Sequence, residues 1–311
     1  MAAPIGNVWG LKTGDNQPTN FASSQAGLQA ALDLPGGTSG GKVWWTGRIT
    51  GITNLTMYAN TTLQGIGMNA SELVRDPAAT GVAIREKTAG EGNGASGGTG
   101  IWLRDFKLTG NASGDGINLG NQGGAQLNIN AGLDNVFVNA FTNGYGMILN
   151  GNASYAQQIW SNNNQYGIKF SGGGSNKWYS VRAEGNTSNN ILVQDHNNRF
   201  YGVHCEENAN AGATPTIEVS GNNNTFYGPS FSLFFNRTNI MVLKVGWGRM
   251  TVYDAQVTLN GHTMSNLVYA EAFAKGSGAT KDVVPQWVDI GTYSNFIYNS
   301  ATGDLTEITV P

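Results

Sequence analysis

One phrase is written twice in this chain at a spacing of 22 residues, and that repetition restricts the fold more than any other feature. Ser175-Asn176-Lys177-Trp178-Tyr179-Ser180-Val181-Arg182-Ala183-Glu184 returns as Asn197-Asn198-Arg199-Phe200-Tyr201-Gly202-Val203-His204-Cys205-Glu206. The order of chemistry is kept: amide, cation, aromatic, tyrosine, small residue, valine, cation or imidazole, small apolar, glutamate. A third copy starts at Asn223-Asn224-Thr225-Phe226-Tyr227-Gly228 and then drifts. Self-similarity at a fixed period of this length predicts a solenoid, with each repeat one coil stacked on the last.

Side chains on a strand alternate between faces, so parity resolves the coil further. With Trp178, Phe200 and Phe226 inward, Tyr179, Tyr201 and Tyr227 point outward. Unbroken alternation would then carry Arg182 and His204 inward, and burying charge without a partner costs several kcal/mol. The parity therefore switches at Ser180, Gly202 and Gly228, where small residues suit a corner. Beyond the corner Val181, Ala183, Val203 and Cys205 face inward, and Arg182, Glu184, His204 and Glu206 outward. A further strand follows, with Ile168, Ile191, Ile217 and Ile240 as one inward column and Phe170, Val193, Val219 and Val242 as the next. Three short strands per coil, joined by polar corners and repeated at about two dozen residues, predict an all-β parallel β-helix.

Composition agrees. Charged residues make up 12% of the 311, about half the usual share, while there are 45 glycines and abundant asparagine. Gly and Asn tolerate left-handed backbone at tight corners, and Asn can hydrogen-bond along a stack. A net charge of -3 without a basic stripe argues against nucleic acid as a partner. The single cysteine, Cys205, reads as a small core residue and excludes an internal disulfide. The N-terminal Met-Ala-Ala-Pro-Ile-Gly lacks the basic and apolar regions of a signal peptide, and no window approaches 18 apolar residues, so no membrane span is expected.

In chain order, residues 1–38 read as an extended leader and one helix. Ser23 or Ser24 caps that helix, Leu28, Ala31 and Leu32 form its apolar stripe, and Pro35-Gly36-Gly37 stops it. A lone helix ahead of a solenoid suits the role of a cap over the first coil. Residues 39–270 read as the coils, with Gly90 to Gly100 as a projecting loop. Phe106, Val136, Ile159, Val181 and Val203 form one inward column of the regular part, Ile101 to Val245. Residues 271–311 change character and read as a C-terminal β element that caps the last coil or joins subunits. Its strands are 286–290, 295–298 and 305–310.

A resemblance enters at the N-terminal block. Gly14-Asp15, the helix core Leu28-Gln29-Ala30-Ala31-Leu32, the strand GGKVWW and the segment TTLQGIGMNASEL resemble, in order and spacing over residues 12–75, the opening of the pectate-lyase-like superfamily found in phage tailspikes and depolymerases. The aspartate-rich turn usual there is Asn16-Gln17-Pro18-Thr19-Asn20 here, and Thr46-Gly47-Arg48-Ile49-Thr50 replaces a Pro-x-Gly-x-Tyr element. The resemblance implies a right-handed β-helix that recognises bacterial surface polysaccharide. It also implies a homotrimer, displayed on a virion beside other tail proteins and assembled in the host cytoplasm. The apolar Phe231, Phe234 and Phe235 suit a subunit contact.

Equivalent residues on stacked coils lie about 4.8 Å apart. Glu184 and Glu206 therefore share an outward column, with Arg182 and His204 two residues earlier above Trp160. A glycosidase needs two carboxylates, roughly 5 to 5.5 Å apart for retention and 6.5 to 9.5 Å for inversion. A lyase needs a base beside a cation, for which His204, Arg182 or Arg199 would serve. The competing reading of this quartet is a solvated salt-bridge lattice, which leaves a non-catalytic receptor-binding or structural virion protein open. Tyr179, Tyr201 and Tyr227 form an outward ladder able to hold sugar rings by their apolar faces. Asp195-His196 reads as a turn pair. With three histidines in the chain, no metal site and no cofactor is expected.

Overall fold

In the computed structural model of the chain, the structure describes residues 7–36, 40–87, 100–111, 113–120, 128–129, 131–206, 214–221, 223–244, 250–258, 260–270, 283–289, 295–299 and 304–308. The Gly90 to Gly100 segment expected as a loop lies outside the described residues, apart from Gly100. The chain is an all-β solenoid of about eight turns with few helices. Its strands form a sixteen-stranded and an eleven-stranded sheet, with one further two-stranded pair among the described residues.

The first strand, Val8–Lys12, pairs antiparallel with Thr19–Phe21 and with Gly41–Trp45. The one helix among the described residues, Gln25–Gly36, packs against them. Its cap is Ser24, whose Oγ accepts the Gly27 N–H at 3.1 Å, and Leu28, Ala31 and Leu32 are fully buried as their spacing predicts. Gln29 ties the helix to the coil behind it, its Oε1 accepting the Thr56 N–H at 2.9 Å.

From Gly41 onward nearly every pairing is parallel, and the register is continuous. Val43, Leu63, Leu103, Leu133, Ala156, Trp178, Phe200, Phe226 and Val252 follow one another in a single column, and all are buried. Phe106, Val136, Ile159 and Val181 make a second column, and Val203 is buried one coil on. Leu108, Val138, Ser161, Ala183, Cys205 and Phe231 make a third. Trp178, Phe200 and Cys205 thus sit inside, as parity requires. Phe200 stacks on Phe226 with centroids 4.5 Å apart, and Phe170 closes on Trp178 from the opposite sheet at 4.6 Å.

The parity switch is a backbone event. Asp105, Asn135, Gln158, Ser180, Gly202 and Gly228 hold φ of 57°, 55°, 52°, 51°, 64° and 59°. One left-handed residue at this corner of each of these coils turns the strand and exchanges its faces, so residues on both sides of the corner keep their apolar members inside. At Gly202 a Cβ would meet nothing within 4 Å, so that corner is a matter of backbone energy alone.

The opposite sheet departs from the sequence-based register in one place. Ile168, Ile191 and Ile217 align, as do Phe170, Val193 and Val219, but the next coil presents Met241 and Leu243 rather than Ile240 and Val242. All four of these residues are buried, so alternation of apolar and polar, the only guide to parity, is missing there. Phe231 is also a correction: it is 2% exposed, in the Cys205 column, while Phe234 is 44% exposed.

Buried amides form two ladders at the turns. The side-chain oxygen of Asn198 accepts the main-chain N–H of Asn176 at 3.3 Å, and that of Asn224 accepts the N–H of Asn198 at 3.0 Å. Asn164 and Asn186 repeat the arrangement on another corner, with Asn164 N–H donating to Asn186 at 3.0 Å. Each side chain replaces the hydrogen-bond partner that a turning backbone would lack. At the C-terminal end, Val283–Asp289 pairs parallel with Met250–Thr258, and Asn295–Asn299 pairs antiparallel with Asp304–Ile308. No helix among the described residues is long and apolar enough to cross a membrane.

Candidate functional site

The left-handed corners divide one outer surface into two strips. On the first, Tyr179, Tyr201 and Tyr227 stand in adjacent coils as expected, and the strand register places them in line with one another. Their rings stack at 4.8 Å with interplanar angles of 8° and 7°. Tyr253 adds a fourth ring at 5.0 Å, and in the other direction Tyr155 lies 5.5 Å from Tyr179 and Trp102 lies 6.4 Å from Tyr155. Six aromatic rings therefore run in series along the outside. Tyr253 was legible as the next tyrosine, 26 residues after Tyr227. Tyr155 and Trp102 were not, because they belong to the neighbouring column of Lys177.

That neighbouring column carries Lys177 and Arg199, which are register partners. Arg199, expected either as the cation of a lyase or beside the sugar-binding tyrosines, thus stands with the tyrosines and apart from the charged quartet. An open cleft of about 500 Å³ lies over it, lined by Lys177, Asn197, Arg199, Asn223 and Tyr227 among others.

The second strip carries the predicted acid–base group, which the fold does bring together. Glu184 pairs in register with Glu206, and Arg182 with His204. Arg182 Nε hydrogen-bonds Glu184 Oε1. His204 Nε2 lies 3.1 Å from Glu206 Oε1 and 3.7 Å from Glu184 Oε1, while its Nδ1 lies 2.8 Å from the Ser230 hydroxyl. The Arg182 guanidinium also sits 4.6 Å from the Trp160 ring, which stacks on Phe137 at 4.3 Å. Trp160 thus acts as the floor of Arg182. One prediction fails here: Glu184 was expected to face solvent, but it is 6% exposed. It has the outward register, yet Arg182 and the flanking columns cover it. Glu206 and His204 stay half-buried.

One ligand atom each from Glu184, His204 and Glu206 lies within 4.8 Å of the others, close enough to gather around a cation, although Arg182 already supplies positive charge at that point. The same closeness suits the shorter of the two glycosidase spacings. Farther along the strip, Lys107 and Arg48 both reach Glu72 at 3.2 Å. Burial works against the Glu72 carboxylate, but the Thr109 hydroxyl, Lys107 and Arg48 together outweigh it and hold its pKa below the usual value.

Asp195, read as a turn residue, does lie at a bend, but its side chain is buried there. It is 1% exposed, and its carboxylate accepts hydrogen bonds from the side-chain amides of Asn198 and Asn176. Loss of solvent pushes its pKa up to about 7, against the smaller opposing pull of those amides.

No protein-family model matches the chain, and no curated protein matches it in sequence. Among solved structures it is similar to the enzymatically active domain of tailspike protein 2 of bacteriophage CBA120. The identity is 14%, over 79% of this chain and 44% of that one, with a TM-score of 0.58. Full-length tailspike protein 2 from an Escherichia coli O157:H7 bacteriophage matches at 16% identity over 79% and 35% of the two chains, TM-score 0.56. A variant of sacteLam55A from Streptomyces sp. SirexAA-E, in complex with glucose, matches at 14% over 84% and 53%, TM-score 0.60. At these identities the likeness is one of fold, and the chain spans about a third to a half of each of these structures. The expected resemblance to phage tailspikes and β-helix enzymes holds at that level.

Proposed function

We propose that the chain is a phage tailspike-like protein that recognises bacterial surface polysaccharide on the strip carrying Tyr179, Tyr201 and Tyr227, with Arg199 beside them and Trp160 across the corner. The observation that carries this reading is the run of stacked, partly exposed rings on adjacent coils. Aromatic faces cover the apolar side of a sugar while hydroxyls bond its edge, and a strip repeated coil by coil matches a ligand that is itself a repeating chain. The full architecture in this reading is a right-handed β-helix with three strands per coil. Residues 1–38 carry its capping helix, 39–270 its coils and 271–311 a terminal cap or oligomerisation element. Three copies, joined to other tail proteins, form part of a virion tail assembled in the host cytoplasm. Light scattering should give about three times the 32.8 kDa chain mass, and a clean monomer at micromolar concentration would remove the trimer.

The test of recognition is binding to purified bacterial capsular polysaccharides and lipopolysaccharide O-chains by wild type and a Tyr201→Ala/Tyr227→Ala variant. Losing two ring contacts of about 0.5–1.5 kcal/mol each predicts a loss of between about fivefold and about 150-fold. Unchanged binding by a folded variant would move the site elsewhere.

A second reading has its own support. The closeness of Glu184, Glu206 and His204 on adjacent coils, with Arg182 to balance charge, suits a depolymerase in which Glu184 and Glu206 divide acid and base or nucleophile roles in hydrolysis, or His204 abstracts a proton in a lyase reaction. Released oligosaccharides from a bound polysaccharide would establish cleavage, and Glu206→Gln should then lower it by about 100-fold. Absence of release leaves a non-catalytic receptor-binding protein, in which the quartet is a surface ion-pair lattice.

A further inference from the structure

In a chain with so few charged residues, two cations are stacked directly on one another with no acid paired to them among the described residues. Lys177 and Arg199 are register partners on adjacent coils, one strand spacing apart. Both are exposed. Like charges directly opposite across a strand pair are destabilising, so the arrangement is unfavourable for the fold by itself. Four other surface cations do reach a carboxylate: Arg48 and Lys107 reach Glu72, Arg182 reaches Glu184, and Lys244 reaches Glu218. Lys177 and Arg199 make no ion pair and no side-chain hydrogen bond with any described residue, and the cleft they border is otherwise lined by neutral groups such as Asn197, Asn223, Thr225 and Tyr227. The acid nearest in sequence, Asp195, is turned inward onto Asn176 and Asn198.

The cation pair also stands at a definite place. Lys177 and Tyr179 lie two residues apart on the same face of one strand, as do Arg199 and Tyr201 on the next. A sugar held against the stacked rings would bring its substituents beside both cations. An arginine fork takes a carboxylate or phosphate by two parallel hydrogen bonds, and lysine adds a point charge.

We infer that the polysaccharide taken by the tyrosine strip is anionic, carrying a carboxylate or phosphate that Lys177 and Arg199 bind together. This inference rests on the carbohydrate reading of the same strip. It says which glycans are chosen, because a neutral chain would leave both cations desolvated and unmatched.

The full chain is applied to an array of purified bacterial capsular polysaccharides and O-chains of known composition, acidic and neutral. Bound carboxylated glycans are then retested after carboxyl reduction, and phosphorylated ones after dephosphorylation. The expected result is binding confined to acidic glycans, at least tenfold weaker after removal of the charge and at least tenfold weaker for Lys177→Gln/Arg199→Gln. Raising salt from about 0.1 M to about 1 M, which shortens the screening length from about 10 Å to about 3 Å, should weaken it too. Both side chains are exposed and their like charges oppose each other, so the variant should melt no lower than wild type. Binding of neutral glycans with the same affinity by wild type and variant overturns the anionic inference and leaves the carbohydrate reading standing. A protein that binds no glycan on the array overturns both.

Discussion

Asp195 makes the stability of this protein depend on pH in an unusual direction. Its pKa is moved from 3.8 to about 7 by burial, and no described cation pairs with it. Because the folded value is raised, the native state keeps a proton that the unfolded chain has already released. Stability from this group is therefore greatest below pH 4, falls as pH rises towards 7, and is level above that. A tenfold change in proton affinity corresponds to about 1.36 kcal/mol, so the full window is worth about 4 kcal/mol, of which about 3 kcal/mol lies between pH 5 and pH 8. Domains have only about 5–15 kcal/mol in all. Glu72 works in the opposite sense: with its pKa lowered, its contribution is present above 4.5 and is lost as pH falls through the folded value. Between them the two groups favour the acid side of neutrality. Guanidinium unfolding at pH 5 and pH 8 should show a lower midpoint at pH 8 with the same slope. Asp195→Asn should remove most of that difference. The comparison uses the pH difference, not the absolute midpoint, because an amide cannot accept both hydrogen bonds that Asn176 and Asn198 donate. A variant as pH-sensitive as wild type would show that the effect arises from another group.

Other consequences follow from the corners. Asn198→Ala should cost about 3 kcal/mol or more, since it strips a fully buried amide and leaves the Asn176 main-chain N–H without its partner; a cost under about 1 kcal/mol by chemical denaturation would mean that water fills the gap. Gly202→Ala should cost only about 1 kcal/mol, the strain of a left-handed residue, because its Cβ would meet no neighbour and Ser180 holds the same conformation one coil earlier. A loss above about 3 kcal/mol would show that this corner is packed.

Much of the fold was legible because the repeat is literal between Ser175 and Glu206. Identical chemistry at a fixed interval fixes both register and parity, and the cost of burying Arg182 and His204 unpaired puts the corners at Ser180 and Gly202. Legibility ended where pattern ended. The run Ile240-Met241-Val242-Leu243 is apolar throughout, so a shift of one residue left no trace. Glu184 was assigned the correct column but the wrong exposure, since parity gives direction and says nothing about how a large neighbour such as Arg182 closes over a side chain. Asp195 looked like an ordinary turn residue because its burial is created by two asparagines, Asn176 and Asn198, on different coils. Lys177 was visible as half of a repeated cation position, but its want of an acid is a property of the folded surface.

The left-handed corner gives every residue a two-part address, its storey and its column, and the two vary independently. Twenty-two residues separate Trp178 from Phe200 and 26 separate Phe200 from Phe226, yet all three are register partners on successive coils, so the surplus length is absorbed between addresses rather than at them. Duplicating a whole storey would then lengthen the tyrosine strip by one rung, about 4.8 Å, and leave the rungs on either side unaltered. The strip behaves as a ruler whose length can be edited without recutting its marks.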